Sequence, residues 1–222
     1  MLSDSSTHVH IFDCDGVILN SNSLKLSALH LSLEFIDAPL SFIEWAVEEF
    51  RMNFGRTRIN HFDIFLRHAE TTGYSVTKEI MSTAMLHYSE NVVRLYKDCQ
   101  VIKETKRYIE NLPSNCFIFV VSASDQTELR SILPIKCSKL HSRYIYGGPL
   151  SKVENIKTVL NITKSNNAFF YGDSVQDAIA SMNSGIHFIG LNKYSVDQKS
   201  LDEFCSLNSL DCYEDCSKVI LA

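Results

Sequence analysis

Only four prolines and eight glycines occur in 222 residues, and no low-complexity tract or internal repeat is present, so disordered linkers are not expected. Long apolar runs are missing as well. The longest, Cys116 to Val121, is far too short to span a bilayer. There is no excess of positive charge: a formal net charge of -5 leaves no electrostatic footprint for nucleic acid or an anionic membrane. The seven cysteines contain no C-x-x-C pair, and no histidine stands at zinc-finger spacing from Cys212 and Cys216. Several lie in apolar runs, where a free Cys acts as a small hydrophobe, and buried reduced thiols are the expectation. The stretch Met1–Thr7 is polar and lacks the charged and apolar regions of a signal peptide, which leads us to expect a cytoplasmic protein. A monomer is the default expectation.

What is present is the composition of a globular protein with a sizeable core: 45% apolar and 21% charged residues. In the second half, short apolar runs at Phe117–Val121, Arg143–Tyr146, Ala168–Tyr171 and His187–Leu191 read as buried strands. Helical spacing fills the intervals at Gln126–Leu133, Lys152–Leu160 and Gln176–Asn183. Strands alternating with helices imply right-handed crossovers and a parallel sheet covered on both faces. Residues 20–96 differ, because no strand-like run breaks them and apolar residues recur at helical spacing, as in Ile43, Ala46, Val47 and Phe50. The expected fold is therefore α/β: a Rossmann-like three-layer core with a parallel sheet (1–19 and 97–222), plus an inserted all-helical domain (20–96).

In such sheets ligands gather at the carboxyl ends of the strands. The first strand, Val9-His10-Ile11-Phe12, ends in Asp13-Cys14-Asp15-Gly16-Val17. Alternation puts the two carboxylates on one side and Cys14 on the other. Like charges that close need a cation or a shared proton. The second run ends in Ser122-Ala123-Ser124, the third leads to Ser151-Lys152-Val153-Glu154, and the fourth ends in Gly172-Asp173-Ser174-Val175-Gln176-Asp177. A cation site thus stands beside an anion site. Asp13, Asp15 and Asp173 offer hard oxygen ligands suited to Mg²⁺. Ser122, the amides near Gly16 and Ala123, and Lys152 suit phosphate oxygens. Ser151 and Glu154 form a capping box that sets Lys152 in the first turn of a helix, so amine and helix N-terminus face the anion together. A carboxylate can attack phosphorus, while a second one protonates the leaving oxygen and then activates water.

D-x-D-G-V after a strand, Ser after the second, Lys opening a helix and G-D-S-x-x-D after the fourth resemble the four motifs of the haloacid dehalogenase superfamily. The resemblance spans residues 8–19 and 97–222, and 20–96 resembles the small helical cap of the phosphoglycolate phosphatase and β-phosphoglucomutase relatives. It implies Asp13 as nucleophile and Asp15 as general acid/base, the latter also offering the metal its backbone carbonyl. It further implies phosphate binding by Ser122 and Lys152, and a Mg²⁺ site completed by Asp173 with Asp177 beside it. The expected activity is a Mg²⁺-dependent phosphatase acting through an aspartyl-phosphate on a small phosphorylated metabolite such as a sugar phosphate. A phosphomutase would use the same residues, and a non-enzymatic receiver-like signalling domain is the remote alternative.

Three details stay open at this level. Asp177 could merely cap its helix, since Ser174-x-x-Asp177 is an N-terminal box. Ser124 competes with Ser122, because either could cap the helix beginning near Gln126; Ser122 is preferred for directly following the apolar run. Related caps carry a glycine-and-arginine loop over the substrate, so Arg56 or Arg58 in Phe54-Gly55-Arg56-Thr57-Arg58 is expected to touch it. His61 and His68 read as surface or satisfied core residues.

Overall fold

The computed structural model describes residues 8–165 and 167–219, so the polar stretch Met1–Thr7 lies outside it. Its strands are β1 (Val9–Phe12), β2 (Phe117–Asp125), β3 (Ile145–Gly148), β4 (Ala168–Gly172), β5 (His187–Leu191) and β6 (Asp211–Tyr213). They form one sheet in the order β3-β2-β1-β4-β5-β6, and every pairing is parallel. β1 is buried along its whole length, as an apolar central strand covered on both faces must be. The chain leaves β1 first toward one edge and later toward the other. The crevice at the carboxyl ends of β2, β1 and β4 is therefore a topological switch point.

Helices α1 (Asn22–Glu34), α2 (Leu40–Met52), α3 (Arg58–Thr72) and α4 (Lys78–Asp98) follow β1 without an intervening strand. α1 resolves the ambiguous alternation of Leu24–Ile36 in favour of a helix. Thr57 and Thr77 accept hydrogen bonds from Asn60 and Ile80 and so cap α3 and α4. These helices share one continuous apolar cluster with the sheet, running from Phe12 and Val17 through Leu29 and Phe50 to Tyr88 and Tyr96. The remaining helices cover the sheet: α5 (Lys103–Asn111), α6 (Gln126–Lys136), α7 (Lys152–Thr163), α8 (Val175–Ser184) and α9 (Gln198–Leu207). No helix of the described residues is long and apolar enough to cross a membrane.

Several boundaries differ from the sequence reading. β2 continues past its apolar run to Asp125, because the ladder to β3 pairs Asp125 with Gly148. Ser122 therefore lies within the strand rather than after it. Neither Ser122 nor Ser124 caps α6; Asp125 does, accepting from the amides of Thr127 and Glu128. Arg143 and Tyr144 belong to a short 3₁₀ turn ahead of β3. Helices α5 and α9 and the edge strand β6 are additional. His61 is neither a surface nor a satisfied residue: its ring is fully buried, and both of its nitrogens lack a hydrogen-bond partner.

Candidate active site

The loop after β1 turns at Gly16, whose φ of 72° is the left-handed conformation that glycine adopts without cost. Space also demands glycine there, since a Cβ would stand 1.9 Å from Asp173 Oδ2. That turn sets Asp13 and Asp15 at the crevice, both buried. Asp173 follows β4, and Ser174 with Asp177 forms a reciprocal capping box at the start of α8. The same kind of box, Ser151 with Glu154, starts α7 and places Lys152 in its first turn.

These elements bring Asp13, Asp173 and Asp177 together, with one carboxylate oxygen from each lying within 4.8 Å of the others. Lys152 enters from α7 and donates to Asp13 Oδ2 at 2.9 Å and to Asp177 Oδ1. Asp177 thus both caps α8 and faces the site. Asn22, the first residue of α1, donates to Asp173 Oδ2 at 2.7 Å. Burial pushes the Asp13 carboxyl up to about 6; Lys152 opposes this, and Asp177 and Asp15 add to it. Burial raises Asp173 as well, reinforced by Asp177 and Asp13. Asp13 Oδ1 is buried without a hydrogen-bond partner. Three clustered buried carboxylates, one with an orphaned oxygen, are a donor set that fits a hard divalent cation such as Mg²⁺.

The Asp15 carboxylate is not in that trio. It is saturated instead: Ser21 Oγ and the Tyr96 hydroxyl donate to Oδ1 at 2.6 and 2.7 Å, and Lys25 Nζ and Ser124 Oγ donate to Oδ2 at 2.6 and 2.8 Å. Burial alone would raise this carboxyl, but Lys25 and these hydrogen bonds hold it at about 2. Lys25 also donates to Ser124 Oγ at 2.7 Å. Sequence reasoning missed Lys25, Ser21 and Tyr96 entirely. A signal for Lys25 existed: it shares the buried face of α1 with Asn22, Ala28, Leu29 and Ser32.

The other expected contacts divide. Ser122 and Ala123 line a small enclosed cavity with Asp13, Asp15, Lys152, Lys25, Phe50, Phe54, Gly55 and Arg56. It encloses about 10 Å³, the space of roughly one water. Ser122 Oγ accepts the Ser124 amide at 3.2 Å, so Ser124 serves Asp15 while Ser122 faces the cavity. The Gly16 amide is spent on Leu19 O at 2.8 Å and is not free for a ligand. Arg56 reaches the cavity. Arg58 does not line it: its guanidinium is joined in a fork to Glu128 of α6 at 2.6 and 2.8 Å. A second cavity, of about 260 Å³, shares Gly55, Arg56, Ala123 and Lys152 and extends between Asn60, Ser151, Gln176 and Asn183.

A sequence profile of haloacid dehalogenase-like hydrolases matches residues 10–191. Among solved structures, a hydrolase from Pseudomonas syringae superposes with a TM-score of 0.73 at 18% identity, over 94% of each chain. A predicted phosphoglycolate phosphatase from Haemophilus somnus gives 0.70 at 15% identity, over 95% of each chain. A candidate β-phosphoglucomutase from Bacteroides vulgatus gives 0.69 at 15% identity, over 96% of this chain and 86% of that one. At such identities the likeness establishes the fold. No curated protein matches in sequence.

Proposed function

The chain belongs to the haloacid dehalogenase-like hydrolases, and within that family we propose that it is a Mg²⁺-dependent phosphatase acting on a small phosphorylated metabolite. One observation carries this reading: a buried lysine, Lys152, bridges Asp13 and Asp177 within a cluster of three buried carboxylates at the switch point of the sheet, and leaves Asp13 Oδ1 without a partner. Asp13 is the nucleophile and forms an aspartyl-phosphate, which water then hydrolyses. Its Oδ1, which nothing in the protein holds, is the atom free to engage phosphorus or metal. Asp13, Asp173 and Asp177, with the Asp15 backbone carbonyl, would hold Mg²⁺. The ion, when bound, neutralises charge on the phosphoryl oxygens. Lys152 and Ser122 bind the remaining phosphate oxygens, with the Ala123 backbone beside them.

Asp15 is the acid that protonates the leaving oxygen and the base that activates water. Residues 20–96 form the cap, and Arg56 contacts the substrate from its loop. A cavity of about 10 Å³ is too small for a phosphoryl group, so the cap lifts to admit substrate. The neighbouring 260 Å³ cavity receives the leaving group; besides Arg56 and Lys152 it offers Asn60, Ser151, Gln176 and Asn183, hydrogen-bonding side chains that suit a hydroxylated group such as a sugar. A phosphomutase, in which a bound sugar hydroxyl replaces water as acceptor, would use the same residues.

The test is release of inorganic phosphate from an aryl phosphate and from a panel of sugar phosphates, with Mg²⁺ and with chelator, against Asp13→Asn. The phosphatase reading expects Mg²⁺-dependent release lost in the variant. An isomerised sugar phosphate without free phosphate identifies the mutase instead. Folded wild type as silent as the variant throughout would end the enzyme reading.

A further inference from the structure

Asn22 opens α1, and among the described residues it is the one side chain that donates to Asp173. Its Nδ2 lies 2.7 Å from Asp173 Oδ2 and 2.8 Å from the backbone oxygen of Tyr194. A backbone oxygen can only accept, so the amide cannot be turned end for end, and both of its protons are spent. The remaining atom, Asn22 Oδ1, has no hydrogen-bond partner, although the residue is only 6% exposed. The loop after β1 closes on the same point. A Cβ on Gly16, which would stand against Asp173 Oδ2, would also come within 2.6 Å of Asn22 Nδ2. The preceding residue serves the neighbouring carboxylate: Ser21 does not cap α1 through its side chain but donates to Asp15. None of the strand-end motifs contains Asn22.

We infer that Asn22 is a positioning residue that orients Asp173 as a ligand of the divalent cation, an inference that rests on the metal-dependent reading above. Charge explains why an amide stands there. Asp13 and Asp177 share the ammonium of Lys152, which offsets part of their charge. Among the described residues no lysine or arginine is paired with Asp173. A neutral donor holds it instead, and this fixes the carboxylate while leaving its charge for the ion. The second bond, to Tyr194 O, keeps the amide from swinging away. A buried acceptor beside a metal ligand also has a use, because Mg²⁺ keeps several waters and waters donate. Asn22 Oδ1 is the acceptor for one of them. Asn22 thus acts through a ligand of the ion, without touching the substrate.

The probe is Mn²⁺, a cation that suits the same oxygen ligands, titrated into the folded full-length chain at pH 8 without substrate. The free-ion electron paramagnetic resonance signal reads binding, and Mg²⁺ serves as competitor. Asn22→Leu keeps the bulk but removes the donor, and should weaken binding by about 10- to 100-fold. Asn22→Ala should do the same, and it decides the matter if the leucine does not pack. Arg58→Ala breaks a different contact, the pair with Glu128, and should bind Mn²⁺ as wild type does, which separates the effect from a general loss of stability. At saturating Mg²⁺ the KM of Asn22→Ala for an aryl phosphate should stay close to that of wild type. A folded Asn22→Ala that binds Mn²⁺ as tightly as wild type overturns the inference alone. Wild type that binds no Mn²⁺ overturns it together with the metal-dependent reading.

Discussion

Lys25 of α1 and Asp15 of the loop after β1 are joined by a 2.6 Å ion pair in which both side chains are buried. The pair ties α1 to the loop after β1, and Ser21, Tyr96 and Ser124 complete the shell around the same carboxylate. A carboxylate held by this many donors is a base without a proton. In the proposed reaction Asp15 becomes an acid only after a lifting cap withdraws Lys25 and a substrate oxygen takes its place.

The first prediction concerns that pair. Lys25→Met leaves Asp15 buried without its counter-charge, and removing one partner of a buried pair costs about 3–5 kcal/mol. Urea unfolding should show this loss, and Lys25→Met/Asp15→Asn should recover most of it. The pH dependence has a definite sign. The Asp15 carboxyl is held at about 2, below its ordinary value, so its stabilisation is present above that ordinary value and lost as pH falls toward 2. In Lys25→Met that acid-side loss should vanish. A single variant as stable as wild type would show that the pair does not hold α1 to that loop.

Asp13 has the opposite sign. Burial raises its carboxyl to about 6, so in metal-free protein its contribution is full below about 4 and is lost as pH rises through 6. Asp13→Asn removes that penalty and should raise metal-free stability at pH 8 by up to about 3 kcal/mol, while abolishing phosphate release. Mg²⁺ should raise the melting temperature of wild type at pH 8 and do so less at pH 5, because a cation binds the ionised cluster and stabilises by mass action. Thermal melts with chelator and with millimolar Mg²⁺ check both points. An unchanged wild-type melting temperature at pH 8 would remove the metal from the site.

The sequence made the strand-end residues legible because polar groups there interrupt apolar runs at positions where ligands gather. Asp13, Lys152, Asp173 and Asp177 fall in this group, and the two capping boxes are as local as the four-residue patterns that announce them. Lys25, Ser21 and Tyr96 were not legible in the same way. Helical spacing shows that a residue is buried, but not which atom of another element it meets, and Tyr96 reaches Asp15 from 81 positions away. The end of β2 was hidden because pairing with β3, rather than apolarity, carries the strand through Ser122–Asp125. β6 reads Asp211-Cys212-Tyr213, too short for any pattern.

Arg56 and Arg58, at the entrance to α3, should separate cleanly. Arg56 lines the site and meets Glu49 only at 3.9 Å, so its charge remains available to an anionic substrate. Arg56→Ala should raise KM about tenfold, with kcat and stability little changed, as expected for loss of one charge-assisted contact. Arg58 is committed to Glu128, largely shielded from solvent on both sides. Arg58→Ala strands that carboxylate and should cost about 1–3 kcal/mol of stability. Steady-state kinetics beside urea melts distinguish the two. The reverse pattern, with Arg58 controlling KM and Arg56 controlling stability, would show that the substrate recruits Arg58 away from Glu128.

The last prediction uses His61, which the fold buries at a cost. Its ring stacks on Phe50 at 4.1 Å, is fully buried, and has no hydrogen-bond partner on either nitrogen. Burial, with the charges of Arg56 and Lys25 adding, pushes the imidazole down to about 3. The folded state therefore resists a proton that the unfolded chain accepts near pH 6.5, so stability is whole above that pH and falls as pH drops toward 3. His61→Phe fits the aromatic surroundings without the polar atoms and should gain about 1–3 kcal/mol at pH 7. The gain should be larger at pH 5, because the acid-side loss disappears with the imidazole. His61→Leu checks that the effect follows polarity rather than ring shape. Urea midpoints at both pH values decide the matter: an equal loss in both variants at both pH values would mean that the imidazole nitrogens are satisfied in solution.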